Sequence, residues 1–250
     1  MPRPPREAAA PPAPLAVHGA LLALALTAAA VTGSARADEL EPYRASYRGI
    51  WHGMVVAVSD LSLEHSGDTW TTSSNSAPRG IGRLAAGIFP PRQVSVVRVT
   101  DSGVQPLTFR SLGGERAKST DLTYDWASAR VTGTLEGAGV DQPLAPGMQD
   151  DGSVQLALMV ELLAGRTPSS FRMLDRSGTR EYQFARDGVA TVQTPMGPVA
   201  TVVYRAQKAG SPRVTRFWCA PARGYVPMKV EQTRGDDVQW TMEIRSFTRP

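Results

Sequence analysis

Two adjacent carboxylates, Asp150 and Asp151, are the clearest candidates for acid–base chemistry in this sequence. Such chemistry requires that one carboxyl has a raised pKa in a cleft that excludes water. The pair also precedes an apolar run that begins at Ser153, and aspartate in that position commonly caps a helix. We therefore interpret the pair as a helix cap, supplied by Asp150 or Asp151. The alternative is a hydrolase of unfamiliar type that uses Asp150, Asp151 or Glu161.

The other reactive side chains are few and scattered. His52 and His65 lie at the ends of two different predicted strands and could meet across a hairpin, but no third metal ligand follows them at a suitable spacing. Cys219 lies in an apolar strand, where we expect a lone thiol to be buried and inert. The sequence contains no motif of serine hydrolases, zinc peptidases, P-loops or dinucleotide-binding folds. It predicts no catalytic residue, no metal and no cofactor.

The first 37 residues have the pattern of a secretory signal peptide. A basic start is followed by an apolar run of 13 residues, from Gly19 to Val31, and then by small residues before Asp38. The apolar run is too short to span a membrane as a helix, which needs about 20 residues. We predict cleavage before Asp38 and a soluble periplasmic product of a bacterium, which meets the membrane only through this leader.

Charge and cysteine content exclude several classes of protein. The chain carries 27 basic and 23 acidic side chains, a net charge of +4, and loss of the leader's three arginines and one glutamate leaves +2. Nucleic-acid-binding proteins instead gather basic residues on one face. A single cysteine excludes an internal disulfide. Residues 38–250 can form a sizeable core, and we predict one β-rich globular domain there.

Alternating apolar and polar residues predict that most of this domain is β-strand. The clearest runs, 226–231 and 238–245, flank a glycine-containing turn and predict a hairpin. Pro227 places the first of them at a sheet edge or at a bulge, and a phase shift between Val96 and Val97 predicts another bulge. Further strands are predicted over residues 43–51, 54–64, 68–74, 92–100, 104–112, 117–126, 129–135, 169–175, 180–186, 189–194, 198–207 and 213–219. The short gaps between them indicate an antiparallel meander.

One segment, from Ser153 to Gly165, breaks the alternation and predicts an α-helix over residues 153–164. Its residues are good helix formers, and glycine suits the position just beyond a helix C-terminus. Because the helix is apolar on nearly all sides, we expect the concave face of a curved sheet to bury it. The predicted fold is mainly β: a single curved antiparallel sheet, a half-barrel or incomplete barrel, wrapped around one helix. A second short helix or a loop is predicted between residues 80 and 89.

Four stretches occur together in an order that resembles one bacterial exported family, domain of unknown function 3108. They are DLTYDW at 121–126, PLAPGMQDDGS at 143–153, TPMG at 194–197 and FWCAPARGYVPMKV at 217–230. The resemblance covers roughly residues 43–247, and Cys219 departs from the family's usual pattern. It implies an envelope protein with a signal peptide and no established reaction. By fold-level analogy it also implies the half-barrels of lipoprotein carriers, which hold acyl chains between sheet and helices.

These observations favour a non-catalytic binding module for an apolar ligand, either a lipid or a lipoprotein. We expect its pocket between the helix and the sheet. The residues predicted to line that pocket are Tyr124, Trp126, Leu158, Met159, Leu162 and Trp218. The alternative is a structural or interaction protein of the cell envelope, whose protein partner adds a strand to a sheet edge. No nucleic-acid partner is predicted.

Overall fold

The computed structural model describes residues 40–80, 89–113, 119–175 and 178–250. The predicted signal peptide, its cleavage site before Asp38 and most of the predicted second helix lie outside these residues. Within them, one α-helix, α1 (Val154–Leu163), accompanies fifteen strands. The strands are β1 Tyr43–Trp51, β2 Met54–Ser66, β3 Thr69–Pro78, β4 Arg92–Thr100, β5 Gly103–Leu112, β6 Thr120–Asp125, β7 Arg130–Leu135, β8 Ala138–Pro143, β9 Met148–Gln149, β10 Ser170–Asp175, β11 Gly178–Thr194, β12 Gly197–Lys208, β13 Arg213–Ala220, β14 Val226–Arg234 and β15 Asp237–Thr248.

All of these strands belong to one sheet, in which nearly every strand pairs with its neighbours in sequence. The order is β8-β7-β6-β5-β4-β3-β2-β1-β15-β14-β13-β12-β11-β10-β9. Neighbours are antiparallel except β9 and β10, which are parallel because α1 lies between them in the chain. The two end strands, β8 and β9, do not pair with each other, so the sheet does not close. The prediction of a single curved, mainly antiparallel sheet around one helix is confirmed.

Helix α1 forms where the sequence predicts it and ends as predicted. Gly165 takes a positive φ of 68° just beyond the helix, and its N–H bonds to the carbonyl of Leu162 at 3.0 Å. At the other end, the carboxylate of Asp150 accepts the N–H groups of Gly152 and Ser153, both at 2.8 Å. Asp150 therefore organises the turn that leads into the helix.

The sheet buries α1 on nearly all sides. The buried helix residues are Leu156, Ala157, Leu158, Met159, Val160 and Leu162. They belong to two side-chain clusters, which together we call the helix core. One cluster draws residues from β1, β2, β4, β5, β12, β13, β14 and β15, including Tyr47, and the other draws from β11, β12, β13 and β14, including Phe217. One short helix can contact strands from both halves of the sheet only if the sheet curves around it.

A third cluster lies beside the end strands of the sheet, and we call it the seam cluster. Its buried members are Phe109, Leu122, Tyr124, Val131, Leu144 and Met148. From one end of the sheet, Met148 of β9 belongs to this cluster and Leu174 of β10 packs against it. From the other end, Val131 of β7 belongs to it and Val140 of β8 packs against it. The seam cluster therefore holds the two ends of the sheet together by side-chain packing, without a backbone ladder between them.

A glycine in β1 allows an aromatic ring to fill one end of the interior. Phe89 packs with Val56 and Ala57 and makes an edge-to-face contact with Trp240 at 6.1 Å between ring centroids. A Cβ atom at Gly49 would lie 2.9 Å from Cζ of Phe89, closer than carbon atoms approach. Gly49 is thus required for the position of the Phe89 ring.

Three details of the strand predictions have definite outcomes. The bulge between Val96 and Val97 is confirmed, because the β4–β5 register shifts there. The prediction that Pro227 lies at a sheet edge is wrong, since β14 lies between β13 and β15. The alternative prediction, a bulge at Pro227, is confirmed because the β13–β14 register shifts there. The predicted pair of strands over 180–194 is a single strand, β11, with an irregularity at Gly188.

Candidate functional site

The residues predicted to line one pocket lie in three different packing environments. Leu158 and Leu162 pack against aromatic rings in one part of the helix core, and Met159 belongs to the other part. Tyr124 is buried in the seam cluster, and Trp126 packs at its edge while its indole N–H bonds to the carbonyl of Pro106 at 2.6 Å. The structure does not bring these side chains around one common space.

The expectation that Trp218 faces the helix is wrong. Phe217 and Cys219, on either side of it, both belong to the helix core. Successive side chains of a strand point to opposite faces, so Trp218 lies on the outer face of the sheet. There the Lys229 ammonium stands 4.6 Å from the centroid of its ring. In the sequence, this placement is indicated by the apolar residues Phe217 and Cys219, which share one face of the strand and leave Trp218 on the other.

A cleft of about 470 Å³ opens where the sheet fails to close. We call this region, between β8 and the β10–β11 hairpin, the seam. Its lining residues are Leu135, Glu136, Ala138, Gly139, Val140, Asp141, Gln142, Leu174 and Gly178. Strand β9 has only two residues and covers β10 at Arg172 and Met173 alone, so the rest of the β10 edge remains open beside the cleft. The volume is within the usual range for ligand pockets, about 300–1,000 Å³.

The turn before β8 sets which backbone groups face the seam. Glu136 and Gly137 have positive φ angles of 49° and 84° and form a two-residue hairpin turn. Leu135 and Ala138 flank this turn as register partners. In such a turn the carbonyl of the first flanking residue accepts the N–H of the second, so these two residues form a hydrogen-bonded pair.

Backbone groups of β8 therefore alternate between β7 and the seam. Hydrogen-bonded and non-hydrogen-bonded pairs alternate along an antiparallel ladder, so Gly139 and Asp141 direct their N–H and C=O groups away from β7. Pro143, the next residue in this series, has no N–H. Among the described residues, nothing hydrogen-bonds to the seam-facing groups of Gly139 and Asp141. The seam thus exposes a free strand edge of two residues.

Three buried side-chain polar atoms in the described part of the chain have no hydrogen-bond partner, and all belong to strands at this end of the sheet. They are Oη of Tyr124, Nε2 of Gln142 and Oε1 of Gln149. The amide nitrogen of Gln149 is satisfied, because it donates to the carbonyl of Val104 at 2.8 Å. Unpaired buried polar atoms are costly, about 1–3 kcal/mol each. Their concentration in β6, β8 and β9 sets this region apart from the helix core.

Asp150 is buried at the start of α1, behind the short strand β9. Its carboxylate also accepts the Ser95 hydroxyl at 2.9 Å, in addition to the two backbone N–H groups. Burial raises the pKa of Asp150 to about 7, although these hydrogen bonds oppose the rise. Since the residue is 5% exposed, its contacts give it a structural role. Asp151 is exposed and makes no cap for α1.

A smaller pocket of about 140 Å³ lies beside the first turn of α1 and is rich in hydroxyl groups. Thr72 donates to the carbonyl of Gly152 at 3.0 Å, and Gln155 donates to the hydroxyl of Tyr43 at 3.2 Å. None of the buried unpaired atoms found in the described ranges lines this pocket. Its polar groups therefore mainly satisfy one another.

The remaining reactive residues have structural surroundings. Cys219 is fully buried, as predicted, and burial raises the pKa of its thiol. Glu161 forms a bidentate pair with Arg166, just beyond the helix, at 2.7 and 2.8 Å. His52 lies in the turn before β2, and His65, near the far end of β2, stacks on Trp70. No group of three metal-ligating side chains occurs among the residues that the structure covers.

A family model described as a protein of unknown function, DUF3108, matches residues 42–243. The chain belongs to this family. The resemblance that the four sequence stretches indicate is thereby confirmed, over nearly the range expected. None of the curated proteins matches the sequence.

The chain is similar to two solved structures at low sequence identity. One is a β-barrel-like protein of the DUF1849 domain from Brucella abortus, with a TM-score of 0.53, 13% identity, and coverage of 85% of this chain and 99% of that one. The other is a Bacteroides fragilis protein described as exported, with a YmcC-like fold, a TM-score of 0.40, 12% identity and coverage of 84% and 97%. The first supports the β-barrel-like architecture alone. In the described ranges, none of the helical structure is both long and apolar enough to cross a membrane.

Proposed function

We propose that this DUF3108 protein is an exported, non-catalytic binding module that holds an apolar group of its ligand in the seam. The seam cleft is the observation that carries the proposal. Three aliphatic side chains, Leu135, Val140 and Leu174, contribute to its wall, and all three also pack against the seam cluster. Burial of an apolar group there gains about 25 cal/mol per Å² removed from water.

The helix core does not offer the same opportunity. Leu156, Leu158 and Met159 are each no more than 2% exposed, so an acyl chain could enter only by displacing them. Cores packed at this density do not admit a ligand without a large cost. The proposed ligand, a lipid or a lipoprotein, therefore uses the seam and not the space between α1 and the sheet.

A fluorescent fatty acid, dansylated undecanoic acid, is a suitable probe for the cleft. We expect its emission to rise and shift to the blue when it binds the full-length or leader-cleaved protein. Ala138→Trp should abolish this change because the indole fills the cleft that Ala138 lines. Val189→Trp is the matched control, since Val189 is 69% exposed on β11 and more than about 30 Å along the strand from Gly178.

Native mass spectrometry of the protein purified from its own cells, without detergent, provides a second measurement. We expect adducts with the mass of acyl-containing molecules on the wild type and none on Ala138→Trp. Unchanged probe binding by Ala138→Trp would show that the seam is not the site. Absence of both probe binding and adducts in the wild type would contradict the proposed apolar ligand.

A further inference from the structure

We infer that the seam receives an extended polypeptide segment, which adds to the free edge of β8 as a further strand. This inference rests on the proposed function, because it names the chemistry of the ligand that enters the same cleft. In this arrangement the backbone of the bound segment pairs with the backbone of β8, and an apolar side chain of the segment contacts the cleft wall.

The hydrogen-bonding groups of the β8 edge match those of a peptide. Gly139 and Asp141 each present one N–H and one C=O toward the seam, about 7 Å apart along the strand. An extended peptide carries donors and acceptors with this same repeat, so it can satisfy all four groups. An acyl chain has neither donors nor acceptors and would leave them unpaired.

The side chains of the seam suit a peptide in the same way. Nε2 of Gln142 is buried without an acceptor on the inner side of β8. Amide carbonyls along a bound segment are acceptors of the right kind for this group. The aliphatic wall formed by Val140 and Leu174 then receives an apolar side chain of the segment. Binding by strand addition combines these two contacts: backbone hydrogen bonds to the sheet edge and a pocket for a side chain of the added strand.

The cleft has room for a strand. A strand residue occupies roughly 160 Å³, from a rise of about 3.3 Å, a strand spacing of about 4.8 Å and a sheet thickness of about 10 Å. The observed volume of about 470 Å³ therefore accommodates about three residues. This length matches the stretch of β8 from Gly139 to Asp141, whose first and last residues direct their backbone groups toward the seam.

Between Gly139 and Asp141, strand β8 lacks most of the features that usually protect an edge. It has no lysine, no bulge in its pairing with β7 and no covering strand. Its one charged residue, Asp141, forms an ion pair with Arg130 of β7 on the outer face. That carboxylate is therefore held away from an approaching strand. Pro143 protects only the last position of the edge.

The test uses nuclear magnetic resonance of the ¹⁵N-labelled protein with a synthetic heptapeptide of alternating valine and threonine, with lysine at both ends. We expect chemical-shift changes at the amides of Gly139 and Asp141. Gly139→Pro should weaken binding roughly tenfold or more, since it removes one donor and its ring obstructs the added strand. Gly139→Ala is the matched control, because a Cβ there meets no atom within 4 Å and the N–H remains.

A second peptide keeps the test independent of protein variants. The same heptapeptide with N-methyl groups on alternate residues lacks the donors of one edge, and we expect it to bind the wild type at least about tenfold more weakly. Equal binding of both peptides, or shift changes located elsewhere, would overturn the inference. Shift changes at the same amides on concentration alone would also overturn it, in favour of β8 pairing between two copies.

The outcomes separate this inference from the proposed function. If dansylated undecanoic acid binds the seam and the heptapeptide does not, the binding module stands and the polypeptide ligand is wrong. If neither binds, both proposals fail. If the peptide binds and Ala138→Trp also blocks it, the peptide and the apolar probe share one cleft, as we expect.

Discussion

The helix core and the seam are built from similar side chains but differ in how completely they are covered. Around α1, residues such as Leu156 and Leu158 are surrounded by strands from both halves of the sheet. At the seam, β8 has a strand on one side only, and Gln142 and Gln149 keep buried atoms without partners. This difference underlies our proposal that the helix core mainly supplies stability and that the seam binds the ligand.

Asp150 lies where the two regions meet and gives the largest expected effect. Its folded-state pKa is about 7, above the usual value of 3.8, so its contribution to stability is present at low pH and is lost as the pH rises through 7. We expect the free energy of unfolding to fall by about 4 kcal/mol between about pH 4 and pH 7 through this group. Urea titrations across that range measure it.

Asp150→Asn is the matched variant, because an amide can keep the contacts to Ser95, Gly152 and Ser153 without ionising. Wild type and variant should therefore have similar free energies of unfolding near pH 4, and the variant should become the more stable of the two as the pH rises toward 7. Parallel pH profiles for the two proteins would show that Asp150 does not titrate in this range.

Truncation of matched leucines compares the two regions directly. Leu158→Ala should lower the free energy of unfolding by about 3 kcal/mol, because the residue is 1% exposed and leaves a cavity between helix and sheet. Leu174→Ala, at the partly open seam, should cost about 1 kcal/mol or less. Leu158→Ala should also leave probe binding at the seam unchanged. Similar losses for both variants would contradict the contrast between the regions.

Two glycine substitutions compare a crowded backbone with an open one. A Cβ at Gly49 approaches the Phe89 ring to 2.9 Å, whereas a Cβ at Gly139 meets nothing within 4 Å. We expect Gly49→Ala to cost about 1 kcal/mol by overpacking and Gly139→Ala to be nearly neutral. Thermal unfolding of the two variants gives the comparison. A neutral Gly49→Ala would mean that Phe89 moves freely.

The smallest effect is expected for a side chain that lacks a partner. Gln142→Leu removes the buried amide nitrogen that has no acceptor, so it should leave stability unchanged or raise it by about 0.5 kcal/mol. It should weaken peptide binding at the seam if that nitrogen serves the ligand. A clear loss of stability would show that Gln142 already has a partner in the free protein, such as a bound water.

Much of the fold could be predicted because its signals are local. The apolar run before Gly165 predicts α1, and the phase shift at Val96 predicts the bulge in β4. The hairpin at Gly235 and burial of Cys219 follow in the same way and are confirmed. Strand β8 was missed because Ala138 and Gly139 give it almost no alternation, and its register comes from the turn that precedes it.

The candidate site could not be predicted, since it depends on contacts distant in sequence. The sequence alone determined the antiparallel meander and the buried helix, because the alternation of strands and the apolar run of the helix are patterns within short stretches of sequence. Only the tertiary structure decided which strands end the sheet, because β1 pairs with β15 and places the gap between β8 and β9. Because the side chains of α1 fill the interior of the curved sheet, the ligand site that we propose lies at the seam.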